Sequence, residues 1–178
     1  MVLYFWRETI LQDKVERAME TNYMTRKAWD ALNQRLQESV DAIKPGGKIA
    51  QEIGKAASYG DLSENAEWEA AIQKKDMLGN EVKNLRQRLS NVTIIDDLNI
   101  QTDRVSLGTK VSLYDLDSDE EVFYQILSGD DAAFYENAIS TKSPIARGLI
   151  GKEEGDEVNI RVPAGLKNYE IMKIELFS

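Results

Sequence analysis

Asp61 and Glu64 stand three residues apart in the polar stretch Ser58-Tyr59-Gly60-Asp61-Leu62-Ser63-Glu64-Asn65. On a first helical turn that spacing sets both carboxylates on one side. Paired carboxylates offer the hard oxygen donors that Mg²⁺ takes, but Mg²⁺ wants six oxygens in a near-octahedral array and keeps several waters. Two acids therefore do not make the site. They can complete one that another protein has half built, as in a two-metal phosphoryl centre, where an ion activates water for in-line attack on a phosphodiester. The plainer reading of Asp-x-x-Glu at a helix start is a cap, with Asp accepting from free N–H groups and Glu reaching back. Gly60 and Asn65 leave the acids room to come forward.

The rest of the composition narrows the chemistry. There is no histidine and no cysteine among the 178 residues. That excludes Ser-His-Asp and Cys-His catalysis, thiolate metal sites and a disulfide framework. Acid–base or metal chemistry falls to carboxylates, Lys or Tyr. The net charge is −9, and it is unevenly placed. Residues 1–100 carry 14 basic and 16 acidic side chains, against 8 and 15 in residues 101–178. Such a chain as a whole does not attract a phosphate backbone, so any nucleic acid in its function is held by a partner protein. No apolar run approaches the roughly 20 residues needed to span a bilayer. The apolar start, Met1 to Trp6, is too short for a signal h-region. A cytoplasmic protein is the expectation.

The elements that must position the acids follow from periodicity. From Thr25, a plausible N-cap, Trp29, Leu32, Leu36, Val40 and Ile43 form one stripe of a helix. Pro45-Gly46-Gly47 interrupts it with a short break, and the stripe resumes at Ile49, Ile53 and Ala56. Trp68, Ala71, Lys75, Leu78, Val82, Leu85 and Leu89 then step as a heptad seam with one lysine inside it. Two striped helices joined by a short polar link make an antiparallel hairpin, with the acids at its end. About 30 residues per arm gives a rod of roughly 45 Å. Asp96-Asp97-Leu98-Asn99 closes the helical half. Beyond it the pattern alternates: Val105, Val111 and Leu113, then Val122, Tyr124 and Ile126, with turn chemistry at 115–119. Ser143-Pro144 opens a short helix that Gly151 closes. Val158, Ile160 and Val162, a turn at Pro163-Ala164-Gly165, and Tyr169, Ile171 and Ile174 complete a curled antiparallel sheet packed on that helix. Residues 1–23 carry a weaker helical pattern, with Val15 and Met19 on one face.

Gly60-Asp61-Leu62-Ser63-Glu64-Asn65-Ala66-Glu67-Trp68-Glu69-Ala70-Ala71 resembles the tip signature of the GreA/GreB family of bacterial transcript cleavage factors. Ser143-Pro144-Ile145-Ala146-Arg147-Gly148-Leu149-Ile150-Gly151-Lys152 resembles the family's second signature, and Leu116-Asp117-Ser118-Asp119-Glu120-Glu121 is similar to a third stretch. The resemblance covers roughly Met24 to Phe177. It implies an α+β protein with three parts: an N-terminal extension (1–23), an antiparallel two-helix coiled-coil hairpin (24–97), and an FKBP-like antiparallel β domain with a short helix (98–178). It implies a transcription elongation factor whose hairpin enters the secondary channel of bacterial RNA polymerase. There Asp61 and Glu64 would help hold a Mg²⁺ shared with the polymerase, and the polymerase would cleave backtracked RNA endonucleolytically. Tyr59, Gly60 and Asn65 would support the tip. Ser143, Pro144 and Ile145 would lie at or near the polymerase contact, or else serve only as a well-capped structural helix. On this resemblance the chain is a monomer, binds no cofactor alone, meets the RNA 3′ end only indirectly and is not itself an enzyme.

The chain departs from the family pattern in places. Ala57 and Ile72 stand where members often carry a basic residue, and Lys55, Lys74 and Lys75 are nearby lysines that a solvated helix face would equally explain. Pro45 is followed by two glycines, which look like extra residues. Two other readings remain open from sequence. One is a channel binder that modulates or inhibits the polymerase without inducing cleavage. The other is a peptidyl-prolyl isomerase, resting on fold alone, with Phe123, Tyr124, Phe134 and Tyr135 as readily core residues as pocket lining.

Overall fold

A computed structural model describes residues 22–58 and 65–178. The chain divides into two units: residues 29–91 form one, and residues 22–28 with 92–178 form the other. The helical expectation for the first 23 residues falls almost wholly outside the described residues; Asn22–Met24 form a strand, β1.

The helical unit is built from α1 (Arg26–Ile43), α2 (Lys48–Ala57) and α3 (Ala66–Arg88). α1 starts in the other unit. Its N-cap is Thr25, whose Oγ1 accepts from Ala28 N–H at 3.2 Å. The expected break lies at 44–47. Gly46 takes φ +76°, a left-handed conformation that favours glycine. At Gly47 an added Cβ would fall 2.7 Å from the Ala42 carbonyl oxygen, so glycine lets the backbone pass this close to the end of α1. α2 and α3 pack antiparallel. Ile49, Ala56, Ala71, Val82 and Leu85 are buried, while Trp29, Leu32, Leu36, Val40, Trp68 and Leu78 are half-buried. Two or three helices side by side can cover only one stripe of each, which is why the seam is legible yet mostly half-exposed. Lys75 interrupts the seam and is exposed. Polar ties cross it: Arg35 Nε to Glu81 Oε1 at 2.7 Å, Ser39 Oγ to Glu81 Oε2 at 3.3 Å, and Lys74 Nζ to Glu52 Oε2 at 2.9 Å.

In the second unit β1 pairs in parallel with β2 (Val92–Ile94), which a short 3₁₀ turn at Ile95–Asp97 follows. The main sheet comprises β3 (Thr109–Asp115), β4 (Glu120–Leu127), β5 (Ala138–Ser140), β6 (Glu157–Val162) and β7 (Gly165–Leu176). Their order is β5-β4-β3-β7-β6. The β3–β4, β3–β7 and β6–β7 pairs are antiparallel as expected, but β5 runs parallel to β4. A register shift between Ser112 and Leu113 marks a bulge in the β3–β7 pairing, of the kind that bends and further twists a strand. α4 (Pro144–Leu149) packs on β6, and Gly148 lets it come close: an added Cβ would lie 2.6 Å from Ile160 Cγ1. Val111, Leu113, Ile126, Leu149, Ile160 and Ile171 form the centre of the core. Val105, expected in a strand, instead anchors a loop, its N–H donating to Lys152 O and its carbonyl accepting from Gly151 N–H, both at 2.8 Å.

Within the sheet unit, carboxylates hold the start of α1. Asp131 is fully buried. Its Oδ1 accepts from Thr25 N–H (3.0 Å) and Thr25 Oγ1 (2.7 Å), and its Oδ2 from Ser128 N–H (3.0 Å) and Ser128 Oγ (2.7 Å). Arg26 N–H donates to Asp96 Oδ2 at 2.7 Å, and the Arg26 guanidinium pairs with Asp97. Carboxylates at a helix N-terminus meet free N–H groups and the positive end of the dipole. Among the described residues no helix is long and apolar enough to cross a membrane.

Candidate functional site

Asp61, Glu64, Tyr59 and Gly60 lie outside the described residues, between Ser58 and Asn65. The frame that holds the link 59–64 is described on both sides. α2 ends at Ala57 with Ser58 as its C-cap; Ser58 Oγ donates to Lys55 O at 2.7 Å, and Ser58 N–H donates to the same carbonyl at 3.1 Å. α3 begins at Ala66, and its N-cap is Asn65, not Asp61 as an Asp-x-x-Glu capping box would have it. Asn65 Oδ1 accepts from Trp68 N–H at 3.0 Å. Its Nδ2 donates to Ala56 O, nine residues earlier on the other arm, at 2.7 Å. Glu67 and Glu69 sit in the first turn of α3, where the helix dipole favours negative charge.

Beside this end lies a cleft of about 370 Å³ lined by Ala56, Ala70 and Ala71 and by the charged Glu52, Lys55, Glu67 and Lys74. Lys74 is engaged with Glu52, and that hydrogen bond is the main reason the Glu52 carboxyl is held below its ordinary range. Of the three lysines near the tip, Lys74 therefore has a partner on the hairpin itself. Among the described residues no group of three or more Asp, Glu, His or Cys side chains gathers as a metal site.

The second candidate region belongs to the sheet unit. Ser143 caps α4, its Oγ accepting from Ala146 N–H at 3.1 Å. Pro144 occupies the first turn and is exposed; Ile145 is half-buried against the core. Of the three, Pro144 offers the most surface. Of Phe123, Tyr124, Phe134 and Tyr135, three have separate partners. Phe123 lies under Lys110 Nζ at 4.7 Å, Tyr135 stands edge-on to Phe177 and under Lys27 Nζ, and Tyr124 packs on the core. Tyr169, buried beside Tyr124, has its phenol pushed up to about 12 by burial first and by Tyr124 second. It is a packed core phenol that stays neutral at physiological pH.

What sequence reasoning missed at the hairpin end is both bonds of Asn65. The cap was read at Asp61, four residues too early, and the bond to Ala56 O depends on how the two arms align.

Residues 22–94 match the family model described as transcription elongation factor, N-terminal, and residues 100–176 match the one described as transcription elongation factor, GreA/GreB, C-term. The chain is 38% identical over 157 residues to transcription elongation factor GreA of Chloroherpeton thalassium, covering 88% of this chain and 98% of that protein. It is 40% identical over 152 residues to transcription elongation factor GreA of Nitrosococcus oceani, with 85% and 95% covered. Among solved structures, GreA factor homolog 1 of Thermus thermophilus aligns over 87% of this chain and 99% of that one, at 22% identity and a TM-score of 0.39.

Proposed function

The chain belongs to the GreA/GreB family of transcription elongation factors, and from that premise we propose that it acts on bacterial RNA polymerase by bringing Asp61 and Glu64 to the polymerase's active centre, where they help hold a Mg²⁺ and stimulate endonucleolytic cleavage of backtracked RNA. The observation that carries this reading is the paired-arm frame: α2 and α3 run antiparallel, and the link bearing both acids joins their ends between Ser58 and Asn65. The donor set suits the ion, since carboxylates are the hard oxygen ligands Mg²⁺ accepts, and two of them leave the remaining positions to the partner. Bound there, Mg²⁺ would activate water and offset charge on the phosphodiester. The chain's own contribution is placement. Both acids belong to one short link of the sequence, and the net charge of −9 leaves the RNA to the polymerase. Pro144, with Ser143 and Ile145 behind it, is the proposed contact of the sheet unit with the polymerase.

The test is RNA cleavage in stalled, backtracked complexes with and without the protein. Asp61→Asn with Glu64→Gln should bind polymerase as the unaltered chain does and fail to stimulate cleavage, with a loss of about 100-fold or more. Full stimulation by the double variant removes the metal role. Binding without stimulation by the unaltered chain assigns it instead to modulating the polymerase.

A further inference from the structure

Asn65 closes two helix ends with one side chain. Ala56 is among the last four residues of α2, whose carbonyls lack intrahelical partners, and Trp68 is among the first of α3, whose N–H groups lack them. Asn65 Nδ2 donates to the first and Asn65 Oδ1 accepts from the second, at 2.7 and 3.0 Å. The two ends carry opposite partial charge: the C-terminus of α2 asks for a donor, the N-terminus of α3 for an acceptor. A carboxamide carries both functions a few ångströms apart and no net charge. Asp would serve α3 and repel the α2 carbonyl; Ser would cap α3 and fall short of α2. The bond joins residues nine apart across the arms, so it fixes the gap that the link 59–64 has to close.

We propose that Asn65 is a positioning residue for the acidic pair, acting as a clip between the arms and not merely as the cap of α3. This rests on the cleavage reading above. Asn65→Asp separates the two roles, because it keeps the cap and loses the cross-arm donor; Asn65→Ser does the same without a new charge. Three quantities are measured on the full-length chain: thermal unfolding of the helices, competition for polymerase, and RNA cleavage rate as a function of Mg²⁺ concentration. Both variants should melt and bind close to the unaltered chain. Both should lose about 10- to 100-fold in cleavage rate, the scale of a small misplacement of reacting groups, and need more Mg²⁺ for half-maximal rate. A residue that only caps α3 would move none of these, so unchanged cleavage and Mg²⁺ dependence in both variants, beside an inactive Asp61→Asn/Glu64→Gln control, overturns the clip alone. A control that still cleaves fully sinks the reading beneath it, and the clip's role with it. Should Asn65→Asp melt early, Asn65→Ser carries the comparison.

Discussion

Four N–H and O–H groups converge on the Asp131 carboxylate, two from Thr25 and two from Ser128. A charge held in so buried a place is tolerated because both oxygens are doubly satisfied. Removing it leaves the buried Thr25 N–H and the part-buried Ser128 N–H without their acceptor, a loss of about 1–3 kcal/mol for a fully buried group. Asp131→Ala should therefore lower unfolding stability by about 2–5 kcal/mol, read by urea denaturation. Thr25→Val, which loses a cap and one of the four bonds, should cost about 1–2 kcal/mol. Because the two side chains share a bond, the double variant should cost measurably less than the sum; strict additivity would show that the bond contributes nothing. None of this was legible in the sequence. Ser128-Gly129-Asp130-Asp131 has the composition of a solvent-exposed turn, and its partner is 106 residues away. The acids at 61 and 64 were legible as a candidate site because type, spacing and motif coincide in a few residues. Asn65 was singled out as a tip residue, but the cap was read at Asp61, and the cross-arm bond to Ala56 is not a local signal.

At the scale of elements, the hairpin is held across its seam by charged pairs as well as by apolar contacts. Hydrogen bonding from Arg35 is the main reason the Glu81 carboxyl sits below the usual carboxylate range. A carboxyl whose value is lowered on folding stabilises the fold fully above its ordinary value, and the contribution disappears as pH falls through the lowered one. Helix content of the unaltered chain should thus decline with acid below about pH 4, and Glu81→Gln should be less stable at neutral pH yet show a shallower decline. Equal slopes in far-ultraviolet circular dichroism would rule the pair out as the cause. The helices, their break at 44–47 and α4 could be read in advance, because a period of 3.6, a glycine pair and a Ser-Pro start are local features. So could β3, β4, β6 and β7, from alternation. The three-residue strands β1, β2 and β5 are too short to show any period. No strand was expected at β1 or β2, whose parallel pairing spans some 70 residues; in the main sheet the antiparallel expectation missed the parallel pairing of β5 with β4. Val105 has the alternation of a strand residue but is bonded to the loop after α4.

For the molecule as a whole, charge decides what it can touch unaided. Residues 101–178 hold 15 acidic against 8 basic side chains, and the full chain is at −9. Duplex DNA or single-stranded RNA alone should show no retention at about 0.15 M salt, because no counterion release rewards the contact. Measurable binding by filter or mobility shift, weakening with salt, would contradict the assignment of nucleic acid to the polymerase. The fastening of Thr25 to Asp131 has a further consequence in time. A growing chain lengthens at about 5–20 residues per second, so the threonine that opens the first helix waits roughly 5–20 s for the aspartate that completes its bonding, 106 positions downstream. For the earlier part of that interval β1 also lacks its neighbour β2. The first thing the ribosome makes of the described structure is thus among the last to be completed.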